Sequence, residues 1–172
     1  MNFYSLAFHP TVSWDGFLLR RGFLTPLLFF VAAQIFQMVA FSVFDGNFFL
    51  VLPVLVAQWF LAVSLYHLFA NFLGGRGNII SLLYLWAFAG IPVFFLPAVR
   101  IFHETVFGGN IVLWFFEVLL IYLWSVVLHA KAIKAVYHVS IFTAFFVLIS
   151  PFVLLAAMGG IAAFLYTATV FI

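Results

Sequence analysis

The sequence predicts an all-α integral membrane helical bundle, and three observations carry that prediction. The 172-residue chain is 69% hydrophobic and only 6% charged, more apolar surface than a soluble globule of this size can hide behind a polar exterior. Its apolar residues fall in runs of about 18 or more between short polar breaks, the length that carries a helix across a hydrocarbon core about 30 Å thick. The alternation of apolar and polar residues that a membrane barrel needs is missing.

Composition also narrows the function. The chain has no cysteine, which excludes disulfides, thiol catalysis and cysteine-ligated metal centres. A formal net charge of +2, with no basic block and no aromatic-basic surface, excludes nucleic acid as a partner. No cofactor motif is found. The opening MNFYSLAFHPTVSWDGFLLRRGF lacks the basic, apolar and small-residue succession of a cleavable signal, so the first span is expected to direct insertion itself.

The elements follow in order within one membrane domain, residues 1–172. Residues 10–23 suit a helix lying in the membrane interface: Trp14, Phe17, Leu18 and Leu19 form an apolar side and Asp15, Arg20 and Arg21 a wet one. The alternative is a plain extension of the first span. Five transmembrane helices are then expected, at 25–44 (ended by DGN), 48–72 (ended by GGRGN), 79–102, 111–130 and 136–157. Pro92 and Pro97 interrupt the third. Ser150-Pro151 offers a kink in the fifth, and Gly159-Gly160 a break before a hydrophobic terminal helix at 159–172.

Charge sets the expected orientation. Arg20, Arg21, Arg76, Lys131 and Lys134, five of the six basic residues, fall on one side of such a bundle, which the positive-inside rule makes cytoplasmic. The N-terminus is then cytoplasmic, and Asp45 and the RIFHETVFGGN connector lie outside with Arg100 as the exception.

LYHLFANFLGGRGNIISLLYLWAFAGIPVF resembles the centre of the Yip1 family of multi-span membrane proteins, in which a histidine-bearing helix runs into a GG-x-G turn and the next helix carries a proline about two thirds along. HPTVSWDGF before the first span and VVLHAKAIKAVYHVS between the fourth and fifth are similar to that family's plan, so the resemblance covers nearly the whole chain. It implies a non-enzymatic membrane protein. Eukaryotic members carry a long cytoplasmic N-terminal segment and are associated with Rab-class GTPases and vesicle traffic. The near absence of that segment points away from Rab binding and toward a prokaryotic-type member in a bacterial or archaeal inner membrane.

The turn has its own chemistry. Gly74, Gly75 and Gly77 permit positive φ and close approach, and Asn78 is placed to cap the next helix. Free backbone N–H groups, a positive helix end and Arg76 would meet at headgroup level, a place suited to a lipid phosphate. The bland alternative is a tight hairpin whose arginine marks topology. No nucleotide site is expected, because GGRGN lacks GxxxxGK[ST]. His67 and Asn71 would brace the end of the second span. His129, Lys131, Lys134 and His138 would add a basic surface that attracts anionic lipid by about 1 kcal/mol per basic residue. No metal is expected: HETVF is not HExxH, and no histidine pair shares a clear i, i+4 face.

Within the hydrocarbon, Glu117 costs about 3 kcal/mol if ionised, so it must be protonated, hydrated or paired. Arg100 is the expected partner, with a proton- or cation-coupled role as the alternative. Gln34 and Gln37 on the first span and Gln58 on the second are expected at similar depth, either hydrogen-bonding helices together or lining a substrate cavity. Two functional classes stand. One organises membrane lipids, with anionic headgroups on the cytoplasmic side, or docks a membrane-protein partner or a second copy in a homo-oligomer. The other is a small transporter, channel or lipid-moving protein built on Gln34, Gln58 and Glu117.

Overall fold

The computed structural model describes residues 24–41 and 48–170, with side chains described over 24–41 and 51–161. The interfacial helix expected at 10–23, with Arg20 and Arg21, lies outside the described residues, as does the DGN turn with Asp45. Among the described residues there is no strand. The helices are α1 (Leu24–Phe41), α2 (Phe48–Phe72), α3 (Ile79–Ala89), a short 3-10 helix (Ile91–Phe95), α4 (Leu96–Phe107), α5 (Ile111–Tyr137) and α6 (Ile141–Val170). Among the described residues, five stretches are long and apolar enough to cross a membrane: Leu24–Phe41, Val51–Phe72, Ile79–Phe107, Ile111–Tyr137 and Ile141–Ile161.

The third span is the axle of the bundle. Most of Ile79–Phe107 is buried, while the other four spans turn most of their surface outward. α3 packs against α1, α2 and α5, and α6 packs against α2 and α5. Leu82, Leu85 and Ile91 of the central span meet Val63 of α2, Ile133 of α5 and Val147 of α6 in the main core. A smaller core, Ala40, Val93, Leu96 and Ile121, closes the end where α1, α4 and α5 meet. Every helix side is greasy here, so packing is set by shape and by a few polar contacts rather than by an apolar stripe.

The proline break in the central span follows from lost donors. Pro92 and Pro97 have no N–H, and each sits in the first turn of its element, where the missing donor is tolerated. The ladder tightens to 3-10 geometry between them. The Ser125 hydroxyl of α5 donates to the Ala89 carbonyl at 3.1 Å, supplying a partner in lipid where water cannot.

Three boundaries differ from those expected, for related reasons. The central span runs to Phe107 rather than 102, and the connector shrinks to Gly108, Gly109 and Asn110, whose side chain caps α5 through Val112 N–H at 3.0 Å. α5 runs to Tyr137 rather than 130, so Lys131 and Lys134 belong to the helix and not to a turn. Their long stems allow the backbone to stay helical while the ammonium groups reach polar surroundings. α6 starts at Ile141, after His138 ends α5 at φ 54°, and continues unbroken through Pro151 and Gly159-Gly160 to Val170. The kink at Ser150-Pro151 is held within the helix: the Ser150 hydroxyl donates at 2.7 Å to the Val147 carbonyl, the acceptor that Pro151 deprives of its N–H. No separate terminal segment at 159–172 is formed over the described residues.

Candidate functional site

The turn between α2 and α3 is built by a helix stop, a clamp and a helix start. Gly74 takes φ 85°, the left-handed conformation that glycine adopts without strain. The Gly75 N–H then donates to the Ala70 carbonyl at 2.9 Å and the Gly74 N–H to the Asn71 carbonyl at 3.0 Å, a Schellman closure. Asn78 starts α3 by accepting from Ile80 N–H at 2.9 Å. Of the three glycines, only Gly74 needs positive φ. Gly75 and Gly77 are required for closeness. A Cβ on Gly75 would stand 2.9 Å from Tyr137 Cβ, and one on Gly77 would stand 2.6 Å from Tyr137 Cδ1 and 2.7 Å from the Val136 carbonyl.

Tyr137, the last residue of α5, is therefore the anvil of the turn, and sequence reasoning missed it. Its ring takes the two glycines, and its hydroxyl is hydrogen-bonded to His67 Nδ1 on α2. Asn71 Nδ2 donates to His67 Nε2 at 3.1 Å, which leaves Nδ1–H as the donor to the tyrosine. The only sequence signal was the register of AKAIKAVY: continued as helix, it carries Tyr137 to the same end of the bundle as GGRGN. Arg76, held between the two clamped glycines, is exposed with no partner among the described residues, and Lys134 and His138 are exposed at the same end. Lys131 is half-buried one turn further in. Beneath this end, Phe69, Phe72 and Leu73 of α2 and Thr143, Phe146 and Ser150 of α6 line an apolar groove of about 340 Å³.

The opposite end holds a different polar cluster, and it corrects the expected pairing of Glu117. Arg100 bonds Glu104 Oε1 at 2.8 Å, one turn along its own helix, and the Ala40 carbonyl of α1. Glu117 instead lies with Oε2 3.0 Å from Nδ1 of His103, which is almost wholly buried. That approach is off the hydrogen-bond axis, so it is a close polar contact rather than a well-aligned bond. Arg100 sits three residues before His103 on α4, and the histidine rather than the arginine is turned to α5.

The glutamines do not form one layer. Gln37 Nε2 donates to the Tyr122 hydroxyl at 2.7 Å, and Gln34 lines the same pocket, about 270 Å³, between α1, the break in the central span and α5. His129 belongs to this pocket and not to the basic end: its Nδ1 is 2.7 Å from the Ser125 carbonyl, and its ring stands edge-on to Trp86 at 4.2 Å. Gln58 is exposed on α2 and does not line that pocket.

Among the described residues, a bundle of five apolar spans around a broken central helix, with a polar cluster at each end and a polar pocket between α1, the central span and α5, defines a polytopic α-helical membrane protein. The Yip1 domain family model matches residues 3–164. The chain belongs to the Yip1 family. No curated protein and no solved structure matches it.

Proposed function

We propose that this protein is a non-enzymatic organiser of membrane lipid, holding an anionic phospholipid at the end of the bundle formed by the α2–α3 turn and the C-terminus of α5. The observation that carries the reading is the juxtaposition of a clamped, exposed Arg76 with the 340 Å³ apolar groove between α2 and α6. A headgroup phosphate meets Arg76, with Lys134 and His138 at the same end, while one acyl chain lies along Phe69, Phe72 and Phe146. The turn's conformation is fixed before binding, so little ordering entropy opposes the contact. This end is cytoplasmic in the reading, as the basic residues require, and the membrane is the inner membrane of a prokaryote.

The test is native mass spectrometry of the purified protein with phosphatidylglycerol and, for comparison, phosphatidylcholine. Arg76→Gln should lower phosphatidylglycerol occupancy about fivefold, the equivalent of about 1 kcal/mol for one basic residue near the surface, and the loss should shrink at high salt. Thr143→Trp, which fills the groove, should lower binding of both lipids. Full retention of phosphatidylglycerol by both variants refutes the proposal. The transport reading needs Gln34, Gln58 and Glu117 in one layer. Their separation into a pocket, an exposed face and the far end of α5 favours the lipid reading instead.

A further inference from the structure

The pocket between α1, the broken central span and α5 has a chemistry unlike either end of the bundle. It lies within all three spans, away from the helix ends: Gln34 falls near the middle of α1 with Gln37 one turn on, Gly90 and Val93 lie at the break, and Tyr122 to His129 cover the middle of α5 and the turn beyond it. It carries no formally charged side chain, yet it is lined by two amides, a phenol, a hydroxyl and an imidazole.

The hydrogen bonds already made define what is left over. His129 Nδ1 faces the Ser125 backbone carbonyl at 2.7 Å, so the ring proton resides on Nδ1 and Nε2 is a bare acceptor. The Ser125 hydroxyl is spent on the Ala89 carbonyl. Gln37 donates into the Tyr122 oxygen, which leaves the phenolic proton free to donate outward. Gln34 has no hydrogen-bond partner among the described residues, so its amide offers a donor and an acceptor. Around these groups Phe30, Val93 and Val126 supply an apolar wall, and Val126 is exposed at the rim. Unmatched donors and acceptors in hydrocarbon are costly, and here they converge on a space of about 270 Å³.

The occupant must therefore reach mid-membrane, carry no charge, donate one hydrogen bond and accept at least one. Charged headgroups are excluded by the cost of burying an ion at that depth. A wholly apolar chain leaves the donors and acceptors unmatched. We propose that this pocket binds a neutral lipid alcohol, with its hydroxyl donating to His129 Nε2, an oxygen of the lipid accepting from Tyr122 and Gln34, and its chains leaving past Val126 into the bilayer. The site is separate from the headgroup site proposed above, and neither depends on the other.

Dioleoylglycerol, which has a free hydroxyl and ester carbonyls, is a suitable probe, and its acetylated derivative carries a small acetyl ester in place of the donor. Native mass spectrometry of the purified protein in detergent should show one bound dioleoylglycerol, with acetylation lowering occupancy about fivefold, the worth of one net hydrogen bond. Gln34→Leu and Tyr122→Phe should each lower it by a similar factor. Val126→Trp, placed at an exposed rim position where folding is undisturbed, should block it, with unchanged helical circular dichroism and thermal midpoint as the check. Equal binding of the acetylated lipid, or undiminished binding by a folded Val126→Trp variant, overturns the assignment.

Discussion

Replacing Gly77 with alanine adds one methyl group where α3's leading turn meets the end of α5, and its cost can be worked out from the contacts. The new Cβ would lie 2.6 Å from Tyr137 Cδ1, 2.7 Å from Cε1 and 2.7 Å from the Val136 carbonyl. Carbon atoms at rest sit about 3.5 to 4.0 Å apart, so the turn and the ring must separate by about 1 Å. The tyrosine cannot swing freely, because its hydroxyl is tied to His67. Overpacking of this kind costs about 1 to 3 kcal/mol, and the hydrogen bond to His67 is put at risk in addition. Reversible unfolding in mixed micelles, followed by circular dichroism, measures the loss. The decisive comparison repeats the substitution in a Tyr137→Ala background. With the ring gone the two nearest carbons are removed while the Val136 carbonyl stays at 2.7 Å, so the cost should fall, giving a coupling of about 1 kcal/mol or more. Gly74→Ala is the control. It meets nothing within 4 Å but sits at φ 85°, so it should cost about 1 to 2 kcal/mol from left-handed strain in either background. If Gly77→Ala is equally costly with and without the Tyr137 ring, the ring is not the anvil of the turn.

Four other outcomes follow from the same geometry. Glu117→Gln and His103→Gln should be non-additive in thermal stability, whereas Glu117→Gln and Arg100→Gln should add, because Arg100 is held by Glu104 and the Ala40 carbonyl; coupling found only in the second pair would restore the arginine as the partner. Ser125→Ala should destabilise by about 1 to 3 kcal/mol, since it strands the Ala89 carbonyl at the proline break in lipid; a neutral result would mean that another group takes over that acceptor. Ser150→Ala should loosen α6 at Pro151, seen as faster amide exchange at residues 148–150 and 152–154 on either side of the proline. Arg76→Cys and Ile111→Cys, both at exposed positions at opposite ends of the bundle, should label from opposite sides of the membrane, with Ile111→Cys reached from outside intact cells; labelling of Arg76→Cys from outside would invert the orientation.

The spans were legible in the sequence because hydrocarbon demands long apolar helices, and the turn GGRGN was legible because its glycines and asparagine stop one helix and restart the next. Helix ends were less so. Lys131 and Lys134 look like a loop in a hydropathy reading, yet a snorkelling lysine is compatible with an unbroken helix, and the same ambiguity hid Tyr137. A proline in lipid also reads as a break, although Ser150 shows how one hydroxyl can keep a helix whole. Lateral neighbours were least legible. In a soluble helix the apolar stripe shows which side faces inward, but here Gln58 and Gln34 have the same sequence surroundings and different fates. His103 was read as part of the RIFHETVFGGN connector, whereas its place one turn before Phe107 on a continuing helix brings it to Glu117.

α6 has a consequence for the surrounding bilayer. Thirty apolar helical residues measure about 45 Å at about 1.5 Å each, against a hydrocarbon thickness of about 30 Å. The first part of α6 is held by α2 and α5, but residues 152–161 are exposed throughout. Tilted by about 40°, the steep end of what membrane helices adopt, such a rod still reaches about 34 Å across the membrane. The remaining few ångströms are met by local thickening of the bilayer beside the exposed residues 152–161 or by projection into the headgroup layer. A helix of this length therefore sits at lowest elastic cost where the bilayer is already thick.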